Sequence, residues 1–224
     1  MELREVRRGY GRTARGYDRR LRFWFGHVLR IEEQRVRAVE ALGPLDGARV
    51  LDIGCGTGAN LPLLVPRVGS SGRVVGLDYT QAMLDRARAR VSEAGWGGVE
   101  LSQGDAVTLD AVEGPFDAIL STYCFGLLYD IERATDRAID LLSPGGRLVI
   151  LDFQRVRPAG PLGRVYPLYA ALLRWYGISA SEDLDETVLR RRWAAAKAVM
   201  RARLSDFEET RFLFDLGVLA SGTR

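Results

Sequence analysis

The chain of 224 residues is long enough for one large domain whose core needs no disulfide or metal staple, and its 47% apolar and 27% charged residues exclude wholesale disorder. Its two cysteines, Cys55 and Cys124, form no disulfide framework and show no metal-ligand spacing. No apolar stretch reaches the length of a signal sequence or a membrane span, so a reducing cytoplasm is the expected location. The formal net charge is +3, and the excess sits at one end: residues 1–22 hold eight arginines against Glu2, Glu5 and Asp18.

Residues 1–42 read as helical, with Ile31, Val36, Val39 and Leu42 as expected buried positions. Within them, "RRGYGRTARGYDRRLRFWFGHVL" (7–29) sets arginines beside Tyr10, Tyr17, Phe23, Trp24 and Phe25. Such a helix suits an anionic membrane surface, arginines on phosphates and rings at the interface; it equally suits a solvated helix packed by its aromatic side on the core. Nucleic acid is not expected, because the arginines cluster in a short arm while the rest of the chain is near neutral.

From about residue 48, short β-rich runs alternate with helical periods, as in βα units on a parallel sheet. The runs are Arg49–Ile53, Arg73–Leu77, Val99–Ser102, Phe116–Thr122 and Arg147–Phe153, each expected to be covered on both faces. Thr80 can cap a helix in which Met83, Leu84, Ala87 and Val91 share a face, with Gly95 just past its end. Pro66 makes the helix after the first strand short or kinked. A further helix runs from about Ile131 to Leu142 and stops at "SPGG" (143–146). Residues 154–204 hold a Pro/Gly-rich stretch, then "YPLYAALLRWYG" (166–177), then a charged helix ending near Leu204. "FEETRFLFDLGVLASGTR" (207–224) reads as two strands joined around Gly217, antiparallel at the sheet's edge.

"RVLDIGCGTGAN" (49–60) carries the chemistry. A glycine-rich turn between a strand and a helix lets backbone approach a ligand where a Cβ would collide, and the helix N-terminus offers free N–H groups. The spacing Gly54-x-Gly56-x-x-Ala59 satisfies the loose dinucleotide fingerprint, so the loop alone leaves NAD(P), and hence an oxidoreductase, as an alternative to another adenosine ligand. Three carboxylates narrow the choice. Asp52 lies inside the strand end, where it suits a ligand bearing an ammonium group and sits poorly beside a pyrophosphate. Asp78 ends the second strand, where a carboxylate accepts from ribose hydroxyls. Asp105 in "SQGDA" (102–106) follows the third strand, placed to accept from an adenine amine.

With these residues the sequence resembles the class I S-adenosylmethionine-dependent methyltransferases over roughly residues 48–153, with the closing strand pair as a further match. "LDIGCGTG", "GLD", "GDA", "FDAILSTYCFG" (116–126) and "LSPGGRLVILDF" (142–153) carry the resemblance. It implies a Rossmann-like α/β fold: a seven-stranded, mostly parallel sheet with an antiparallel C-terminal hairpin and helices on both faces. It also implies S-adenosyl-L-methionine as cofactor, S-adenosyl-L-homocysteine as product, and no metal. The cofactor contacts it implies are Asp52, Gly54, Cys55, Gly56, Gly58 and Asn60 around the loop, Asp78, Tyr79 and Met83 after the second strand, Gly104, Asp105 and Ala106 at the base, and Ser121 on the fourth strand.

For the acceptor, the layout of "YDRRLRFWFG" (17–26), the loop domain and "YPLYAALLRWYG" resembles bacterial quinone-ring C-methyltransferases and phospholipid N-methyltransferases. The expected division is an arm at 1–42, lid or membrane-facing, and a methyltransferase domain at 43–224 with an acceptor-side insertion at 154–204. The candidate acceptor-side residues are Tyr17, Tyr123, Tyr166 and Tyr169, whose rings or hydroxyls can face a cationic or polar head, and the single histidine, His27. The expected acceptor is a membrane-associated lipid, a phospholipid amine or a quinone ring, with peripheral membrane contact through residues 1–29; the alternative is a soluble small molecule over which the arm only closes.

Overall fold

A computed structural model describes residues 30–155 and 186–224. Residues 1–29 of the expected arm at 1–42, with Tyr17 and His27, and the stretch holding Tyr166 and Tyr169 lie outside the described residues. The elements in chain order are α1 (Ile31–Glu40), β1 (Arg49–Ile53), α2 (Leu61–Val68), β2 (Arg73–Asp78), α3 (Gln81–Ala94), β3 (Val99–Gln103), β4 (Phe116–Thr122), a single 3-10 turn (Phe125–Leu127), α4 (Ile131–Asp140), β5 (Leu142–Phe153), α5 (Glu186–Arg203), β6 (Ser205–Phe212) and β7 (Gly217–Thr223).

The seven strands form one sheet in the order β3-β2-β1-β4-β5-β7-β6. The first five are mutually parallel, and β7 runs antiparallel to both β5 and β6. Because β2 and β4 flank β1, chain direction diverges there, and the C-terminal ends of β1 and β4 open a crevice, the usual ligand position in open α/β sheets.

Two apolar clusters sandwich the sheet. One joins Leu51, Ile53, Phe116 and Ile119 to α4 and α5 through Ile131, Ile139 and Trp193. The other joins Val50, Val74, Leu120 and Val149 to α1 and α2 through Ala38, Val39, Leu61 and Leu64. α1 buries Ile31, Gln34, Arg35, Ala38 and Val39, the spacing of one helical face. Val36, expected inside, is 40% exposed, since it points away from that stripe. Thr80 is the N-cap residue of α3 and Gly95 ends it in the left-handed region (φ 67°), as expected; the Thr80 side chain makes no cap bond. α2 is short, eight residues with Pro66 inside.

Three strand expectations are corrected. β3 is an edge strand and is only partly covered, so Val99–Ser102 is not enclosed on both faces. The helix after Ile131 ends at Asp140, and "SPGG" belongs to the start of β5 rather than to a turn: Leu142 pairs with Phe116, and Gly145 and Gly146 exchange backbone hydrogen bonds with Arg224. In the closing hairpin Gly217 is the first residue of β7, and the turn lies at 213–216, where Leu213, Phe214 and Asp215 all take positive φ. No Gly or Asn marks that turn, so turn chemistry pointed to the wrong place.

α5 ties the hairpin to the rest. Lys197, the only lysine of the chain, donates to Oε1 of Glu209 on β6 (2.9 Å) and to Oε1 of Gln154 just beyond β5 (2.5 Å). Burial pulls the lysine's pKa down; burial alone would raise that of Glu209, but Lys197 and Arg211 hold it low. Arg203 reaches Asp136 and Asp140 on α4, an exposed set worth little by itself. The larger contribution is Trp193, 1% exposed between α5 and the sheet. Trp193→Ala is expected to destabilise the fold by about 3–5 kcal/mol. Urea unfolding checks this: a midpoint unchanged from wild type would mean that α5 does not anchor this face.

Candidate active site

The glycine loop leaves β1 and crosses the end of β2. The N–H groups of Gly54 and Cys55 both donate to the Leu77 carbonyl (2.8 and 2.9 Å). A side chain at Gly54 would drive into the Cys124 thiol. Gly56 takes φ +57°, and a Cβ there would meet nothing within 4 Å. The loop is therefore packed beneath Gly54 and open above Gly56, as a backbone cradle must be.

The three carboxylates take different environments. Asp52 is fully buried; its Oδ1 accepts from Asn60 Nδ2 (2.8 Å), and its Oδ2 has no partner among the described residues. Its pKa is pushed up to about 7, chiefly by burial, against the Asn60 hydrogen bond and Arg35, which lower it. Asp78 accepts from the backbone N–H of Gly56 (2.9 Å) and of Thr80 (2.8 Å), fixing the loop to the end of β2, and burial raises its pKa. A carboxylate has about four lone-pair sites, so these bonds leave capacity for ribose hydroxyls. Asp105 accepts from Val107 N–H (2.8 Å) and from the Tyr129 hydroxyl (3.0 Å), so it caps its own turn and holds a half-exposed tyrosine beside the expected base position.

The other expected cofactor residues gather around this edge. Asn60 is the N-cap residue of α2. Ser121 donates to the Ile53 carbonyl (2.9 Å), stitching β4 to β1. Gly104 N–H donates to the Asp78 carbonyl, and Gln103 Nε2 to that of Tyr79. Met83, Ala106 and Cys55 are buried. Burial pushes both thiols, Cys55 and Cys124, well up, so each is protonated and suited to packing rather than attack.

Of the acceptor-side candidates, Tyr123 lies within the described residues. It follows β4 at φ 57°, a conformation costing a bulky residue about 1 kcal/mol or more. Its ring packs on Phe153 (centroids 5.3 Å apart) and faces the Arg35 guanidinium at 5.1 Å. Its hydroxyl is buried with no partner among the described residues. Beside it Asp152, buried at the end of β5, accepts from the Gly126 N–H (2.9 Å) and its own neighbour Phe153 N–H (2.6 Å); burial pushes its pKa up to about 6.

Arg35, Thr122, Asp152 and Tyr129 lie among the candidate site residues, and sequence reasoning missed them. Arg35 left one trace: it shares the helical stripe of Ile31, Ala38 and Val39, where a solvated arginine would not stand.

The sequence profile described as a methyltransferase domain matches residues 50–146. The chain is 36% identical to the phosphatidylethanolamine N-methyltransferase of Cereibacter sphaeroides, over 81% of this chain and 85% of the relative. It is 40% identical to the 2-phytyl-1,4-naphtoquinone methyltransferase of Thermosynechococcus vestitus, over 78% of this chain and 77% of the relative. The crystal structure of a SAM-dependent methyltransferase from Aquifex aeolicus has the same fold, with TM-score 0.58 at 19% identity over 84% of this chain and 88% of that one. The chain belongs to the S-adenosylmethionine-dependent methyltransferases, and its sheet is that of the class I enzymes; the NAD(P) alternative falls away.

The site fits that cofactor on its own terms: an open backbone cradle at Gly56, a buried carboxylate oxygen on Asp52 with no partner among the described residues, and a second carboxylate on Asp78. When bound, the cofactor supplies a methyl group on a sulfonium, an activated centre for in-line displacement. Asp52 would hold the ammonium, Asp78 the ribose and the 54–58 backbone the chain between them.

Asp78→Ala is expected to weaken S-adenosylhomocysteine binding by about 1–3 kcal/mol, the scale of a lost charge-assisted pair; calorimetric titration measures it, and unaltered affinity would place the ribose elsewhere. The raised Asp52 pKa fixes a second outcome. Its protonated form is favoured in the free folded protein, so ionisation costs folding stability as pH rises from the ordinary value of 3.8 through about 7. An ammonium ligand offsets that cost only when Asp52 is ionised. Affinity for S-adenosylhomocysteine should therefore fall as pH drops below about 7, and its thermal upshift should be larger at pH 8 than at pH 5.5; equal upshifts would contradict this.

Proposed function

We propose that this methyltransferase acts on a membrane-associated lipidic acceptor, a phospholipid amine head group or a quinone ring, at a site whose acceptor side includes Tyr123. The observation that carries the reading is the pair of relatives above. At 36% and 40% identity over more than three quarters of this chain, they are named for a phospholipid and for a phytyl-substituted quinone. Those two acceptors share no reacting atom, only a long apolar tail with a polar head.

The basic, aromatic-rich stretch at 7–29 is consistent with such an acceptor, since it suits peripheral contact with anionic lipid. Among the described residues no helix is long and apolar enough to cross a membrane. Tyr123 offers the site a buried hydroxyl with no partner among the described residues, which suits a polar head group, while the Arg35 guanidinium over its ring holds it in place. Tyr17, His27, Tyr166 and Tyr169 are proposed to complete the acceptor side. Because the leaving thioether is a good one, holding the acceptor in line can supply much of the rate.

Incubating the protein with methyl-labelled cofactor and a total lipid extract is expected to place label in the organic phase, and deletion of residues 1–22 is expected to reduce binding to anionic liposomes. Label confined to water-soluble products, with liposome binding unchanged by the deletion, would replace the lipid with a soluble acceptor.

A further inference from the structure

Arg35 is the one buried arginine among the described residues, at 8% exposure. α1 carries it in from outside the loop and the sheet, the two elements that define the cofactor site. Its Nη1 donates both to Oδ1 of Asn60 (2.8 Å) and to Oγ1 of Thr122. Asn60 donates onward through Nδ2 to Asp52 Oδ1 (2.8 Å) and to Thr122 Oγ1 (3.0 Å). One nitrogen thus ties the start of α2 to the end of β4 and, through a single amide, to the buried carboxylate at the end of β1. The same guanidinium lies over the Tyr123 ring at 5.1 Å, within cation–π range.

A buried cation in a purely structural role would be expected to satisfy its donors. Among the described residues Arg35 Nε has no partner, and neither does Asp52 Oδ2 or the Tyr123 hydroxyl. Three of the four buried side-chain polar atoms without a partner among the described residues therefore belong to this one group.

We propose that Arg35 is a positioning residue: through Asn60 it fixes the Asp52 carboxylate, and with its face it fixes the Tyr123 ring, so that one side chain of α1 sets the donor half of the site against the acceptor half. The inference rests on the reading that Asp52 faces the methionine ammonium. The charged and titratable groups acting on Asp52 are Arg35 from α1 and Asp78 from the end of β2. The Cys55 and Cys124 thiols, which Asp52 in turn pushes upward, are held protonated by burial. Arg35 is thus the cation that opposes the upward shift of Asp52. Glu32 and Asp152 bear on Tyr123.

The test is the pH profile of S-adenosylhomocysteine affinity, by calorimetry from pH 5.5 to 8.5, for wild type, R35Q, R35K and D52N. Wild type is expected to lose affinity below about pH 7 and D52N to be weak and flat. A wild-type profile independent of pH would overturn the Asp52 reading, and the inference with it. With that reading upheld, R35Q is expected to move the midpoint up by about one pH unit, which is a tenfold weakening on the low-pH side, with a smaller deficit at pH 8.5. An R35Q profile superimposed on wild type would overturn the role of Arg35 alone. R35K keeps the charge but not the planar fork, so its midpoint should stay at the wild-type pH while affinity falls three- to tenfold throughout. If R35Q does not fold, R35K decides: wild-type affinity at pH 8.5 would overturn the proposal.

Discussion

Asp52 is a carboxylate with no contact with water, bound by one amide hydrogen bond and facing one guanidinium. An ionised group in that position is costly unless it is paired and hydrogen-bonded, and here half of its bonding capacity is left open. The surrounding architecture follows from housing it: Asn60 stands at the N-terminus of α2 to reach it, Arg35 enters from α1 to oppose its desolvation, and the chain turns away at Gly54 so that backbone, not side chains, lines the space beyond. Ionising Asp52 costs stability at this point in the free protein, and under the proposed reading a ligand with an ammonium group would return it.

The second constraint is the divergence of the sheet at β1. Parallel neighbours on both sides leave the strand's C-terminal end uncovered by its own helix, and the loop fills that gap with a turn tied to β2 through the Leu77 carbonyl and Asp78, just after the point where Ser121 ties β4 to the end of β1. Asp78 serves two ends at once. Its bonds to Gly56 and Thr80 hold the cradle's shape, and its remaining lone pairs are what a ribose would use. Across the crevice, Asp152 does for the 124–127 turn what Asp78 does for the loop, accepting backbone N–H groups, so that Cys124 is held beneath Gly54 while Tyr123 packs on Phe153 of β5.

The far edge of the sheet bears on the site less directly. β7 enters antiparallel between β5 and β6, and α5 covers the pair through Trp193 and the Lys197–Glu209 contact. Lys197 also holds Gln154, the residue at which β5 leaves the sheet on the same edge as Tyr123. Packing at this end thereby fixes where the chain leaves β5.

Much of this was written locally in the sequence. The glycine spacing, the acids at three strand ends and the alternation of strands with helices are short-range patterns, and they determined the fold class and the cofactor, because a tight turn and a strand end each require particular residues within a few positions. Boundaries set by pairing were not legible: "SPGG" joins β5 because Leu142 pairs with Phe116 and Arg224 returns to Gly145, contacts dozens of residues apart. Nor was the partnership that organises the site. Arg35 lies 25 residues from Asn60 and 87 from Thr122, and one arginine among many carries no local sign of its partners. Only the packing of α1 against the sheet took that side chain out of water, and a cation out of water is bound to the few acceptors within its reach.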